Sequence, residues 1–416
     1  MGEVVRRIGL SLGADICWPL CFEHIMRGLD LRIPVGGDTV RFEVERVTIE
    51  PFDLQQPCRY DLVVDRLTHW YHTSREWIKK SILMNDLYVF NNPWSVQSNE
   101  KHTSYCAMMH LGMPIPPTWM IPPKSYEPGN PDLKPTLARY AKLFDVSKLG
   151  DKLGWPLFMK PYDGGGWRAV TKVDDAAAAW KAYEESGKAV MHVQAAVKDY
   201  DRFVRCIGFG PQTHCVLYDP DAPLHDRYTT RPEADFLSPA DREHLRKVTL
   251  TINAFFGWEF NSCEALHKGD VWHPIDFANP CPDSQVTSLH AHFPWLVKAY
   301  IRWTVFCAAT KRKMPRNLDW APFYEVAARD LPYEDKLDAY ARIADERLET
   351  ARFEEFCAKH LGHLDEVAWD FFGTSEAKEA VRQKVAALFP AQEIEAFTEL
   401  FWSRIGDWRR QNPKAR

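Results

Sequence analysis

The order of hydrophobic and polar positions changes period repeatedly along the chain, and each change predicts an element. Residues 7–12 read as a first strand that stops at Gly13, and 17–29 is a helix whose face carries Ile16, Leu20, Phe22 and Ile25. Residues 41–51 (RFEVERVTIEP) alternate in the manner of a strand, 60–65 (YDLVVD) is another, 68–83 is helical and 87–90 is a short strand. Strands alternating with helices over this stretch predict a small open α/β layer. FNNP at 90–93 ends it. Residues 99–111 then form a helix carrying Lys101, Tyr105, Met108 and Met109, with Gly112 as its stop signal. A proline-punctuated extended segment (113–123), a polar loop (124–135) and a helix (137–144) follow.

Further along, 174–186 is a helix, 189–197 and 202–208 are strands, and 211–217 continues the second sheet. Residues 218–233 are a polar loop with Arg227 and Arg231. Ser238-Pro-Ala-Asp241 is a capping box with proline at the first helical position, so a helix runs to about Phe256. Residues 258–276 read as a hairpin turning near Lys268-Gly269-Asp270. From Pro294 onward the pattern is helical. Leu337, Tyr340, Ala344 and Leu348 share one face, as do Ile394, Phe397, Phe401, Ile405 and Trp408. These are packing stripes.

Two stretches carry chemistry. The first is GWPLFMKPYDGGGWRAVTKV (154–173), a strand with Lys160, a loop of Gly164, Gly165 and Gly166 flanked by Asp163 and Arg168, and a second strand. Three glycines let backbone N–H groups approach a ligand, and a lysine beside them makes a phosphate cradle. No Gly-Lys-Ser/Thr follows, so it is not a Walker A loop. A glycine-rich hairpin tip with a solvated lysine is the plain alternative. The second stretch is the hairpin with Glu264 and Asp276. A three-residue turn, 268–270, puts both carboxylates on one face as diagonal neighbours, a pair suited to Mg²⁺ with phosphate oxygens in the remaining positions. A two-residue turn puts them on opposite faces, where they are two exposed strand acids.

Composition narrows the setting. The 416 residues predict two to four structural units. A net charge of −5 without a long basic run argues against a nucleic-acid partner. No run is long and apolar enough for a membrane span, the N-terminus lacks a signal-peptide core, and Arg6 breaks the myristoylation pattern. The ten cysteines are scattered without a Cys-x-x-Cys pair. They read as reduced residues of a cytoplasmic protein.

Four segments together resemble, in order, the ATP-grasp superfamily, in particular carboxylate–amine ligases of the ribosomal-protein glutamate ligase and D-alanine–D-alanine ligase type. VFNNPWSVQSNEKHTSYCAMMHLGMPIPPT is similar to the family's Asn-x-Pro segment, lysine and Gly-x-Pro-x-Pro-x-Thr run. PLFMKPYDGGGWRAV resembles its lysine strand and Gly loop, VMHVQAAVKDYDRFVRCIG its adenine and ribose segment, and CEALHKGDVWHPIDFANP its acidic metal hairpin.

The resemblance covers about residues 60–285 and implies an α/β fold of the α+β kind. A pre-ATP-grasp layer (1–98) and a two-part nucleotide clamp (99–292) are followed by a helical extension (293–416). It implies that Lys101 and Lys160 contact the phosphates of ATP, with the loop of Asp163, Gly164, Gly165 and Gly166 closing over them. Gln194, Ala195 and Val197 would line the adenine site, Asp201 would hold the ribose, and Glu264, Asp276 and Asn279 would hold Mg²⁺ or Mn²⁺. Arg205 and Arg231 would meet the transferring phosphoryl group, with Lys160 beside them.

Two departures stand out: Ala195 replaces the usual acid after the glutamine, and acid-x-Asn has become Asp276-x-x-Asn279. The implied activity is an ADP-forming ligase that joins a carboxylate to an amine or thiol through an acyl phosphate. The alternatives are a kinase on the same fold and a non-catalytic ATP-binding module. Expected partners are small-molecule carboxylates and amines, free or on a peptide or carrier, and a second copy of the chain.

Overall fold

A parallel sheet buried on both faces organises the N-terminal part of the protein. In this computed structural model, which describes residues 2–48, 50–68, 71–98, 100–127, 129, 131–162 and 169–414, the strand order is Ile33–Val35, Asp38–Arg46, Glu3–Ser11, Leu62–Asp65, Tyr88–Phe90. The last four are mutually parallel, and the short first strand is antiparallel to its neighbour. On one face, Val63 and Val89 pack with Ile78 and Ile82 of the helix His72–Asn85. Leu62 and Val64, at alternate positions, are equally buried. Parallel sheets need cover on both sides.

The helix Phe293–Thr310 packs on the strands Glu3–Ser11, Ile33–Val35 and Leu62–Asp65 and is buried almost all round. The helix Cys17–Leu29 packs on it, with Trp18 stacked on Tyr300 at 4.3 Å between ring centres. Helices Leu364–Phe371 and Ser375–Ala386 pack in turn on Cys17–Leu29, and Ile394–Gln411 on Ser375–Ala386. The helix Tyr333–Arg347, which carries the Leu337 stripe, packs instead on Pro239–Phe256.

The described residues divide into two compact units. One comprises Met1–Ser98, Val204–Cys263 and Pro280–Arg416; the other comprises Asn99–Phe203 and Glu264–Asn279. The first also holds the hairpin pairing Val204 with Leu217 through Phe209 with Gln212. It includes the helix Pro239–Phe256 as well, whose Ser238 cap accepts from the Asp241 N–H at 3.0 Å, as the capping box predicts.

The second unit is built on an antiparallel sheet ordered Thr118–Ile121, Met191–Ala195, Leu157–Pro161, Thr171–Val173. Ile121, Leu157, Met159, Val173, Met191 and Val193 form one face, packed on Leu149 and on Ala179, Ala182 and Tyr183 of the helix Ala176–Ser186. Strand alternation then sends Thr118, Lys160, His192 and Gln194 to the other face.

Several elements differ from the sequence expectation. The helix expected at 137–144 is Leu133–Tyr140, because Pro135 lies in its first turn, where a missing N–H costs nothing. Thr118–Ile121 is a strand, short and at the sheet edge between prolines, where period-two alternation has too few residues to register. Helices Pro93–Ser98 and Ser147–Leu153 and the strand Ile33–Val35 were not expected.

Candidate active site

The site assembles in the second unit around an irregularity in the acidic hairpin. Lys268 pairs with Val271, so the turn is Gly269-Asp270, two residues and not three. Gly269 takes φ +61°, as the first position of a II′-type hairpin turn requires. Unbroken, this register would set Glu264 opposite Ile275 and send Asp276 to the other face. A β-bulge corrects it. Ala265 pairs with Pro274, but Glu264 pairs with Asp276, and Ile275 is the extra residue. The two carboxylates therefore stand directly across the ladder and not diagonally. The expectation of a three-residue turn was wrong, and the facing pair arises from the bulge.

The bulge also frees a backbone carbonyl. Ile275 O accepts from the Lys160 ammonium at 2.9 Å and from the Tyr105 hydroxyl at 2.7 Å. Lys160 donates as well to Gln194 Oε1 at 2.8 Å, and Gln194 Nε2 donates to Thr118 Oγ1 at 2.8 Å. The Lys160 Nζ lies 5.3 Å from the centre of the Tyr105 ring, where the ring face favours a cation. Lys101, at the start of the helix Lys101–His110, places its ammonium 2.6 Å from both oxygens of Asp276. Tyr105 sits one turn along the same helix face.

Two lysines thus converge on one corner of the hairpin, both nearly buried. Burial pushes the Lys160 ammonium down to about 8; Asp276 and Glu264 favour its charge and Lys101 opposes it. His192, directly across the ladder from Lys160, is pushed down to about 4 by burial and then by Lys160, so it is neutral at pH 7.

The donor set suits a hard divalent cation. Glu264 and Asp276 face each other, and Asn279 Nδ2 lies 3.5 Å from Asp276 Oδ1. The two ends of that amide are an assignment, and the other orientation presents an oxygen beside the carboxylate. Two carboxylates with an amide oxygen leave room for waters or phosphate oxygens, the pattern Mg²⁺ prefers. No group of three or more His, Cys, Asp or Glu residues arranged for a metal occurs among the described residues.

Other expected residues fall as follows. The N–H of Ala195 donates to Pro117 O at 2.9 Å and that of Ala196 to Pro156 O at 3.3 Å, so neither is left to meet a base. Val197 follows them just past the end of the strand Met191–Ala195. Asp201 Oδ1 is 2.6 Å from His267 Nδ1. Desolvation would raise its carboxyl, but His267 and Arg202 hold it below the usual range. Asp163, Gly164, Gly165, Gly166 and Arg168 lie outside the described residues.

Arg205 and Arg231 belong to the first unit. There Arg205 donates to Ser262 Oγ at 2.9 Å and lies over the Tyr228 ring, and Arg231 donates to the Asp235 carbonyl at 3.1 Å. Sequence reasoning did not assign Tyr105, Thr118, His267 or the Ile275 carbonyl. The four-residue step from Lys101 to Tyr105 was the available signal for the first. The carbonyl has none, since it depends on the bulge.

No protein-family model matches the chain, and no curated protein does. Among solved structures, the chain is similar to a RimK-domain ATP-grasp protein from Sphaerobacter thermophilus at 13% identity and a TM-score of 0.44, covering 67% of this chain and 92% of that one. It is also similar to two structures of D-alanine–D-alanine ligase from Bacillus anthracis. The one complexed with ATP has 14% identity and a TM-score of 0.44; the other has 13% and 0.46. In each case 82% of this chain and 99% of that one are covered.

Proposed function

We propose that the second unit binds Mg²⁺–ATP and that the protein is an ADP-forming ligase joining a carboxylate to an amine through an acyl phosphate. One observation carries this reading. Lys101, Lys160, Gln194, Glu264 and Asp276 come from four separate segments, and within one unit they are joined by contacts of 2.6–2.9 Å and a facing acid pair.

The chemistry asked of them is mainly positioning and neutralisation of charge. Lys160, already oriented by Gln194 Oε1 and Ile275 O, presents an ammonium to a phosphate without reorganising. Lys101 exchanges Asp276 for a phosphate oxygen, which releases that carboxylate for the metal. Mg²⁺ on Glu264, Asp276 and Asn279 would neutralise the phosphate charge. The substrate carboxylate oxygen attacks the γ-phosphorus, the bond to the bridging oxygen breaks, and ADP leaves. The amine nitrogen then attacks the acyl carbon, the carbon–oxygen bond to phosphate breaks, and the amine loses a proton.

Calorimetric titration with Mg²⁺–ATP tests the assignment. Lys160→Met should weaken binding by roughly thirtyfold, the worth of a desolvated charge-assisted hydrogen bond. Wild-type affinity in that variant contradicts it.

A further inference from the structure

An open pocket of about 410 Å³ lies in the first unit between the 47–60 connection and the helix His72–Asn85. Ser11, at the carboxyl end of the central strand Glu3–Ser11, lines it. The chain leaves the two flanks of that strand in opposite directions, toward Asp38–Arg46 on one side and Leu62–Asp65 on the other. Crevices at the carboxyl ends of parallel strands, beside such a reversal, are where open α/β sheets take ligands.

The helix lines the cavity with Thr73, Ser74, Trp77 and Lys80, a stripe at helical spacing. Two of these side chains are poorly satisfied where they stand. Lys80 is 8% exposed, and its ammonium donates to the Gln56 carbonyl and, at 3.4 Å, to Asn85 Oδ1, both neutral groups. Ser74 is 5% exposed, and its hydroxyl has no hydrogen-bond partner. A buried ammonium facing only neutral oxygens is expensive, and a buried hydroxyl without a partner adds to that cost. An anion entering the cavity relieves the ammonium. The remaining charges on the lining are Arg59, engaged with Glu45 at 2.7 Å, and the acids Glu50 and Asp53.

We propose that this cavity binds a small oxyanion-bearing ligand, a carboxylate or a phosphate ester. The Lys80 ammonium takes the anion. Glu50 and Asp53 call for hydroxyl or amine donors elsewhere on the ligand. The site lies wholly within the first unit, so it stands or falls separately from the nucleotide assignment.

The test uses the full nucleotide-free chain with millimolar inorganic phosphate or succinate, read by hydrogen–deuterium exchange and calorimetry. Slowed exchange in peptides covering 50–60 and 71–80 is the expected result, with phosphate alone, succinate alone or both identifying the anion class. Lys80→Met should weaken that binding at least about tenfold and leave Mg²⁺–ATP affinity unchanged. Ligand-independent exchange in both peptides overturns the proposal, as does protection confined to 157–195 or undiminished affinity in Lys80→Met. Should Lys80→Met fail to fold, wild-type exchange alone decides between these outcomes.

Discussion

Lys160 is held where its charge costs stability. Its folded pKa of about 8 lies below the ordinary lysine value of 10.5, so between those values the unfolded chain binds more protons than the folded one. The penalty is fully present below pH 8 and is relieved as pH rises toward 10.5, by on the order of 3 kcal/mol. The nucleotide-free wild type should therefore gain stability from pH 8 to 10 relative to Lys160→Met, measured by denaturant unfolding. At pH 7 the variant should be more stable by roughly 1–2 kcal/mol, since Ile275 O keeps Tyr105 and Asp276 keeps Lys101. A variant less stable than wild type at pH 7 would make Lys160 a structural residue. Removing the residue proposed to meet the phosphate should thus improve the empty protein, as expected of a site organised for an absent charge.

At the scale of elements, the lysines and the acids were legible because charges inside apolar strand runs stand out, and Pro156 to Pro161 with Lys160 is such a run. Their geometry was not legible. Whether Glu264 and Asp276 share a face depends on turn length and on a bulge at Ile275, and each shifts the pairing by one residue. Read singly, a two-residue turn gives the wrong face; turn and bulge together give a facing pair. The N-terminal α/β layer was legible because its strands alternate with helices. The strand Thr118–Ile121 was not, because it borrows its structure from its neighbour Met191–Ala195. The turn itself makes a prediction. An added Cβ at Gly269 meets nothing within 4 Å, so the cost of Gly269→Ala is the backbone strain of a non-glycine residue at this positive φ, roughly 1–3 kcal/mol. Thermal unfolding followed with and without Mg²⁺–ATP would read that loss; a loss of several kcal/mol would mean that the register, and with it the facing acids, had moved.

At the scale of the molecule, the helices after residue 293 explain why so long a C-terminal region follows the site segments: they complete the core of the first unit. Trp303 is fully buried, its indole N–H donates to Glu259 Oε2 at 2.8 Å, and a Cβ on Gly210 would meet its ring at 2.4 Å. Trp303→Ala should cost roughly 3–5 kcal/mol and leave Glu259 less satisfied. Calorimetry that showed an unchanged melting temperature would refute this placement. No helix among the described residues is long and apolar enough to cross a membrane.

The reaction itself is tested most directly by product stoichiometry. The protein is incubated with Mg²⁺–ATP, pooled amino acids and small carboxylates, and hydroxylamine as a generic amine, and ADP, phosphate and hydroxamate are quantified together. Acyl-phosphate chemistry predicts all three in equal amounts, with none formed by Lys160→Met. ADP without inorganic phosphate, accompanied by a phosphorylated product, would contradict the ligase and make the protein a kinase.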